Sequence, residues 1–338
     1  MGGLTVVRKL LALEGDERVD VHADGERAFR SACGGGQLAV IQELLALGGD
    51  RRIDVHARNE YAFQWACECG QLDVVQLLLA LEGDRHIDVH AGEEGAFRVA
   101  CGGGQLEMVQ TLLALEGDRR IDIHVDSERA FRVACGNGQL EMVQTLLALE
   151  GERRIDVHAR EEDYFLVAMD WGIEEDDARP CGNAFQWACR NAEVEVAQVL
   201  LALTGDRRID VHAGEEEAFR YACGTGGLEI VQTLLALQGD RRINVHAQDE
   251  TAFQFACRKG NLKVVKVLLA LEGARAPTPD TVKEHGQVEL RRDVKWSGVE
   301  SPPPHKSYGR GRRAMACFRS SRRVQIRAAR AAVKKRRV

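Results

Sequence analysis

No apolar run in the 338 residues approaches the ~18 to 20 needed to cross a membrane, so no transmembrane helix is expected. The apolar run from Leu4 to Leu13 is no export signal either, because its Leu-Leu-Ala-Leu pattern returns throughout the chain. Ten cysteines are present, but they lack an even, closely spaced framework and contain no CxxC pair. A disulfide scaffold and a zinc ribbon are thereby disfavoured, and free thiols in a reducing compartment are expected. The glycine runs Gly34-Gly35-Gly36 and Gly102-Gly103-Gly104 lack the Gly-Lys-Ser/Thr ending and the preceding strand of a phosphate loop. The acidic run Glu174 to Asp177 lacks the alternating ligands and the glycine of a calcium loop. No Ser, His and Asp arrangement stands out. Catalysis, cofactor binding and metal binding are all unexpected.

What the chain does have is self-similarity at a fixed interval. Phe29, Phe63, Phe97, Phe131 and Phe165 stand 34 residues apart, and Phe185, Phe219 and Phe253 resume the same step. Cys33, Cys67, Cys101 and Cys135 follow suit, then Cys189, Cys223 and Cys257. Such a period belongs to a stack of equivalent units, each burying its apolar face against its neighbours.

Residues 57–90 serve as the type unit. Tyr61 to Cys69 places Ala62, Phe63, Ala66 and Cys67 on one helical face, with Glu60 in the first turn where the helix dipole favours an acid. Gly70 ends this helix. A second helix is expected from Gln71 to about Leu81, with Leu72, Val75, Leu78 and Leu79 as its apolar stripe. Turn residues Glu82-Gly83-Asp84 follow, and Ile87-Asp88-Val89-His90 alternates like a short extended segment.

The stretch AFQWACECGQLDVVQLLL resembles the helix pair of the ankyrin repeat family, and Asp88-Val89-His90-Ala91 is similar to the entry of that family's hairpin. The resemblance implies an all-α, helix-turn-helix repeat solenoid with extended, hairpin-like loops, acting as a protein-interaction scaffold without enzyme activity. It departs from the family pattern in its period, 34 where the family has 33, and at the head of the first helix. The family's Thr-Pro pair is Tyr61-Ala62 here, and its His is replaced by Gln64, Arg30 or Arg98, so its Thr and His hydrogen-bond network is absent.

Along the chain, a half unit occupies 1–22, and full units span 23–56, 57–90, 91–124 and 125–158. A truncated unit is expected at 159–178, because Phe185 follows Phe165 by 20 residues where 34 would be usual. A kink or a bulging acidic loop is expected there. Units at 179–212 and 213–246 follow, then a capping unit at 247–273 made more polar by Arg258, Lys259, Lys263 and Lys266. The tail, 274–338, carries 18 Lys and Arg against 5 Asp and Glu, a balance of +13 that leaves −19 of the net −6 on the repeats. Its prolines exclude regular helix in its first part, and high charge with few aromatics predicts disorder. The cluster Lys334, Lys335, Arg336 and Arg337 resembles a nuclear-import signal, with a solvated basic tail as the bland alternative.

Three residue columns invite a chemical reading. His22, His56, His90, His124, His158, His212 and His246 are too far apart for zinc, since stacked helices sit ~8 to 10 Å apart, so a hydrogen-bonding role in the loop is expected. The Cys column reads as small core residues. Trp65, Trp187, Tyr221 and Phe255 read as core filling, with a ligand-binding ladder as the rival. In the resembled family the two positions before the turn glycine are frequent contact residues. On that basis, and because the resemblance implies recognition through the loop tips and the exposed side of the first helix, Arg58, Tyr61, Glu68, Arg190, Asn191, Arg258 and Lys259 are the candidate partner-binding residues for an unidentified protein. The rival class is a nucleic-acid or chromatin-associated protein, its repeats presenting a tail that contacts nucleic acid or another anionic surface. A monomer in the cytoplasm, with nuclear entry through the tail, completes the expectation.

Overall fold

The structure is a computed structural model that describes residues 2–160, 182–272 and 276–282. Its elements are helices arranged in pairs, with no strand among the described residues. The first helices of the pairs are α2 (Ala23–Gly34), α4 (Ala57–Glu68), α6 (Ala91–Gly103), α8 (Val125–Gly136), α10 (Ala184–Arg190), α12 (Ala213–Thr225) and α14 (Ala247–Lys259). The second helices are α1 (Gly2–Leu11), α3 (Leu38–Leu45), α5 (Leu72–Leu79), α7 (Leu106–Leu113), α9 (Leu140–Leu147), α11 (Val194–Leu201), α13 (Leu228–Leu235) and α15 (Leu262–Leu269). A single 3-10 turn such as Gly83–Arg85 separates each pair from the next.

The helices form where the apolar spacing demands, and they stop where backbone chemistry demands. Gly70 ends α4 at φ +69, with its N–H and that of Gln71 bonded back to the carbonyls of Cys67 and Ala66. The buried stripe of α5 is Val74, Val75 and Leu78, while Leu72 and Leu79 are only partly covered. Phe29, Phe63, Phe97, Phe131, Phe185, Phe219 and Phe253 are all buried, and each pins its helix pair to the neighbouring pairs. Large exposed apolar side chains lie only near the two ends of the described stack, at Val6, Leu10, Leu262 and Leu269.

The seven periodic cysteines are buried, and burial raises the thiol pKa of Cys33 to about 12 and those of Cys67, Cys101, Cys135, Cys189 and Cys223 further. Thiolate chemistry is thereby suppressed. In the native protein these thiols should react with Ellman's reagent at least 100-fold more slowly than half-buried Cys69. Equal rates at Cys69 and Cys101, resolved by peptide mapping, would contradict this packing.

One local feature departs from the expected helix start. In six units the opening turn of the first helix contains three consecutive left-handed residues, as at Arg58, Asn59 and Glu60 with φ of 59, 63 and 58°. Equivalent turns occur at Asp24–Glu26, Gly92–Glu94, Asp126–Glu128, Gly214–Glu216 and Gln248–Glu250. Left-handed geometry costs roughly 1 to 2 kcal/mol for each L-residue, so something must hold it. A long donor five or six residues on supplies the clamp. Arg30 donates to the carbonyls of Gly25 and Asp24 at 2.8 Å each, Arg132 to Ser127 and Asp126, Gln64 to Asn59, and Gln254 to Asp249. These Arg and Gln side chains occupy the position of the family's His. They build a different network where the sequence suggests only a loss.

The truncated unit expected at 159–178 falls largely outside the described residues. On either side of them, α8 packs directly against α10. The bonds that join ordinary neighbours also reappear across this gap. Arg85 and Arg119 each donate to a leucine carbonyl 40 residues earlier, and Arg207 does the same to Leu147, 60 residues earlier, at 3.0 Å. At the other end, the stack's hydrogen bonding runs past residue 273, because the Thr278 N–H donates to Glu250 as the Asp88 N–H does to Glu60.

Candidate functional site

Each repeat loop is occupied by contacts to its neighbours, which removes most of its polar residues from consideration as binding groups. In the loop Asp84 to His90, Asp84 accepts from Arg52 of the preceding unit, and Arg85 caps the preceding second helix at the Leu45 carbonyl, 2.9 Å away. Ile87 and Val89 are buried. Asp88 accepts from the His90 N–H at 3.0 Å. The Arg–Asp rungs recur at Arg18–Asp50, Arg154–Asp206 and Arg208–Asp240, where hydrogen bonding to Arg holds each carboxyl below its ordinary pKa. All these rungs are solvent-exposed, so each adds little to stability.

The histidines lock one loop to the next. His56 Nδ1 lies 2.5 Å from Oε1 of Glu60, and its Nε2 lies 2.7 Å from the Asp84 carbonyl. The same Glu60 oxygen accepts the Asp88 N–H at 3.1 Å. His22–Glu26, His90–Glu94, His124–Glu128, His212–Glu216 and His246–Glu250 repeat the pair at 2.6 to 2.8 Å. In the pairs of His22, His56, His90, His124 and His212 the Nε2 faces a carbonyl, which can only accept, so that nitrogen donates, and an ionised Glu accepting from Nδ1 makes the ring an imidazolium. The glutamates are therefore buried acceptors in the turn, not dipole partners on an exposed first turn. Their column, four residues after each His, was visible in the sequence. Among the described residues no group of His, Cys, Asp and Glu could hold a metal.

A second surface is the face made by the C-terminal halves of the first helices. There the aromatic column and the glycine column meet. A Cβ on Gly34 would lie 2.6 Å from the Trp65 ring, one on Gly102 2.7 Å from Val133, and one on Gly136 2.9 Å from the Trp187 ring. The glycines before the turn thus exist to admit the next unit's large side chain. Trp65, Trp187, Tyr221 and Phe255 stay half-buried, each with one side left on this face.

The candidate residues divide accordingly. Arg58 is exposed and paired with Asp24 of the preceding turn. Tyr61 is half-buried, its ring 5.2 Å from the Arg30 guanidinium and 5.9 Å from Trp65. Glu68 is exposed, and Asn191 donates to the Gly136 carbonyl at 2.6 Å. The Arg190 guanidinium lies 4.9 Å from the Tyr221 ring centre, and that of Arg258 lies 5.0 Å from Phe255, with Lys259 exposed beside it. Arg58 and Tyr61 thus sit together near Trp65, while Arg190, Asn191, Arg258 and Lys259 sit two units or more further along. Lys334, Lys335, Arg336 and Arg337 lie outside the described residues.

The ankyrin-repeat family model matches residues 1–91 and 185–280 in three copies, and the chain belongs to the ankyrin repeat family. Two solved structures are similar to it. One is the ankyrin repeat domain of Bcl-3, described as a unique member of the IkappaB protein family. It is 20% identical over 72% of this chain and 99% of that one, with a TM-score of 0.44. The other is the ankyrin repeat domain of human ASB11, 18% identical over 66% of this chain and 95% of that one, also with a TM-score of 0.44. No curated protein sequence matches the chain. Ankyrin repeats are generally protein-interaction modules without enzyme activity. No helix among the described residues is long and apolar enough to cross a membrane.

Proposed function

We propose that the protein is a non-catalytic scaffold that captures a partner protein on the concave, first-helix face and the loop tips of its stack. One observation carries this reading. The polar residues of the loops and turns are bonded to neighbouring units, whereas the half-buried aromatics and the side chains of Glu68 and Arg190 remain on the first-helix face, where Arg258 and Lys259 also lie. Half-buried aromatic and arginine side chains are the groups that dominate interface energetics. Arg58, Tyr61 and Asn191 frame the same face. The chain acts as a monomer in the cytoplasm and enters the nucleus through Lys334 to Arg337.

Benzoylphenylalanine placed at Glu68 or Asn191 of the full chain, expressed in its own cells, should give discrete photo-crosslinked adducts. The same group at Gln110, exposed on second helix α7, should give none. Adducts at Gln110 alone, or at none of the three, would remove the support for this face. The charge of the tail supports the second reading, contact with nucleic acid, because residues 306–338 hold 13 basic and no acidic residues. Under that reading, deleting 306–338 abolishes binding and the full chain shows a steep salt dependence. Under the first reading, partner capture survives the deletion.

A further inference from the structure

After α15 the chain returns to the stack once more. Residues 276–282 form a strap whose Thr278 N–H donates to the Glu250 oxygens at 2.8 and 3.1 Å, and Val282 packs against the core. The register is that of an ordinary loop, since the N–H groups of Asp54, Asp88, Asp122, Asp156 and Asn244 donate in the same way to the glutamate 28 residues earlier. What differs is the side chain. In the earlier units Oε2 of Glu26, Glu60, Glu94, Glu128 and Glu216 is buried without a hydrogen-bond partner. At Glu250 that oxygen lies 3.4 Å from the Thr278 hydroxyl, which lies 2.9 Å from the Thr281 hydroxyl. The strap is thus fastened through a hydroxyl in a column that otherwise holds Asp or Asn.

Thr278 is exposed, lies outside any helix and is followed by Pro279. The other hydroxyl residue followed by proline is Ser301. Thr111, Thr145 and Thr233 lie within helices instead, each donating to the carbonyl four residues back. A protein kinase reads an extended backbone, which Thr278 offers and these three do not. The surroundings of the Thr278 hydroxyl are negative. Burial opposes ionisation of Glu250, yet the Thr278 N–H, the His246 ring and Thr281 together hold its pKa below the ordinary carboxylate value, so it is charged at neutral pH. In ordinary loops the residue two places after the Asp is a histidine. Here it is Asp280, and no Lys or Arg stands among residues 276–282.

We propose that Thr278 is a phosphorylation site and that its phosphate unfastens the strap from Glu250. A proline-directed Ser/Thr kinase transfers the γ-phosphoryl group of ATP to Thr278 Oγ1. ADP leaves as the new P–O bond forms, and the hydroxyl proton passes to the base of the kinase. The phosphate brings a charge of about −1.5 to −2 at pH 7 and removes the proton by which Oγ1 donates. A dianion then faces the Glu250 carboxylate across what was a hydrogen bond, with Asp280 two residues on. A phosphate at a helix start is favourable in itself, but that gain is confined to the turn opening at Pro279. The repulsion from Glu250 acts on the very oxygen that carries the phosphate. Release of the strap uncovers Glu250 and the core side chains beneath Val282 at this end of the stack. The assignment holds whichever partner the repeats bind.

The test uses the full-length protein carrying S301A, treated with ATP and a proline-directed kinase. Peptide mass spectrometry should place a phosphate on Thr278, and the additional substitution T278A should abolish it. Amide hydrogen exchange in residues 276–282 and in the turn Gln248–Glu250 should then quicken by about 10-fold or more, with α4 unchanged. Phosphatase treatment should restore the original rates. T278E should quicken exchange in the same two segments without any kinase, whereas T278A, which keeps the N–H bond to Glu250, should not. Absence of phosphate at Thr278 overturns the proposal. So does phosphorylation that leaves exchange unchanged or slows it, as expected if the phosphate merely caps the turn at Pro279.

Discussion

Raising the pH from 6 to 9 should lower the urea midpoint of the repeat body and broaden its transition. The cause is the His–Glu pair repeated along the stack. Hydrogen bonds from Nδ1 to the buried carboxylate, and then from Nε2 to the next loop's carbonyl, raise the pKa of His22, His56, His90 and His212 against the opposing effect of burial. At His124 burial opposes most strongly, yet the bonds to Glu128 and to the Glu152 carbonyl still raise the pKa. A group whose folded pKa lies above its unfolded value contributes its full stabilisation below the unfolded value, near 6.5, and loses it as pH rises through the folded one. The loss therefore belongs to the alkaline side of neutrality. Each imidazole is about 40% exposed, which discounts the pair to about 1 kcal/mol. Several pairs titrate together, so the sum amounts to several kcal/mol. Glu128→Gln should cost stability at pH 6 and flatten the pH dependence of its neighbourhood, because an amide can donate to a neutral ring. An unchanged urea midpoint between pH 6 and 9 would show that the rings are not charged in the fold.

Phe131→Ala should destabilise the protein by about 3 to 5 kcal/mol, the usual cost of emptying a large buried aromatic site. Phe131 is 1% exposed and sits in α8, the helix that packs against α10. Neighbour contacts alone hold a repeat stack, so the damage should spread to adjacent units and weaken with distance. Hydrogen exchange should show lost protection in α6, α8 and α10, with α2 and α14 nearly unchanged. Uniform loss along the whole chain would mean that the stack unfolds as one cooperative block.

The period, the helix pairs and the core columns were legible in the sequence because they follow from spacing alone. Phe63 and Cys67 return every 34 residues and face their neighbours as that spacing requires. The chemistry of the turns was less legible. Glu60 looks like an ordinary first-turn acid, and only three-dimensional closure brings the Asp88 N–H and the His56 ring to its one oxygen. Likewise Arg30 and Gln64 look like lost family histidines until the left-handed turn beneath them is seen. The candidate face was readable as positions but not as chemistry. The stacking of Arg190 on Tyr221, and the isolation of the Trp187 N–H, depend on which ring the next unit brings.

The passage from α8 to α10 carries a consequence for how the chain can change. His158 reaches the Asp206 carbonyl at 2.9 Å and Asn191 reaches the Gly136 carbonyl, so adjoining units are already closed on each other there. Segments of differing length could join the two sides there at little more than the slowly growing entropy of closing a loop. New binding specificities could be grafted there while the stack on either side keeps its bonds.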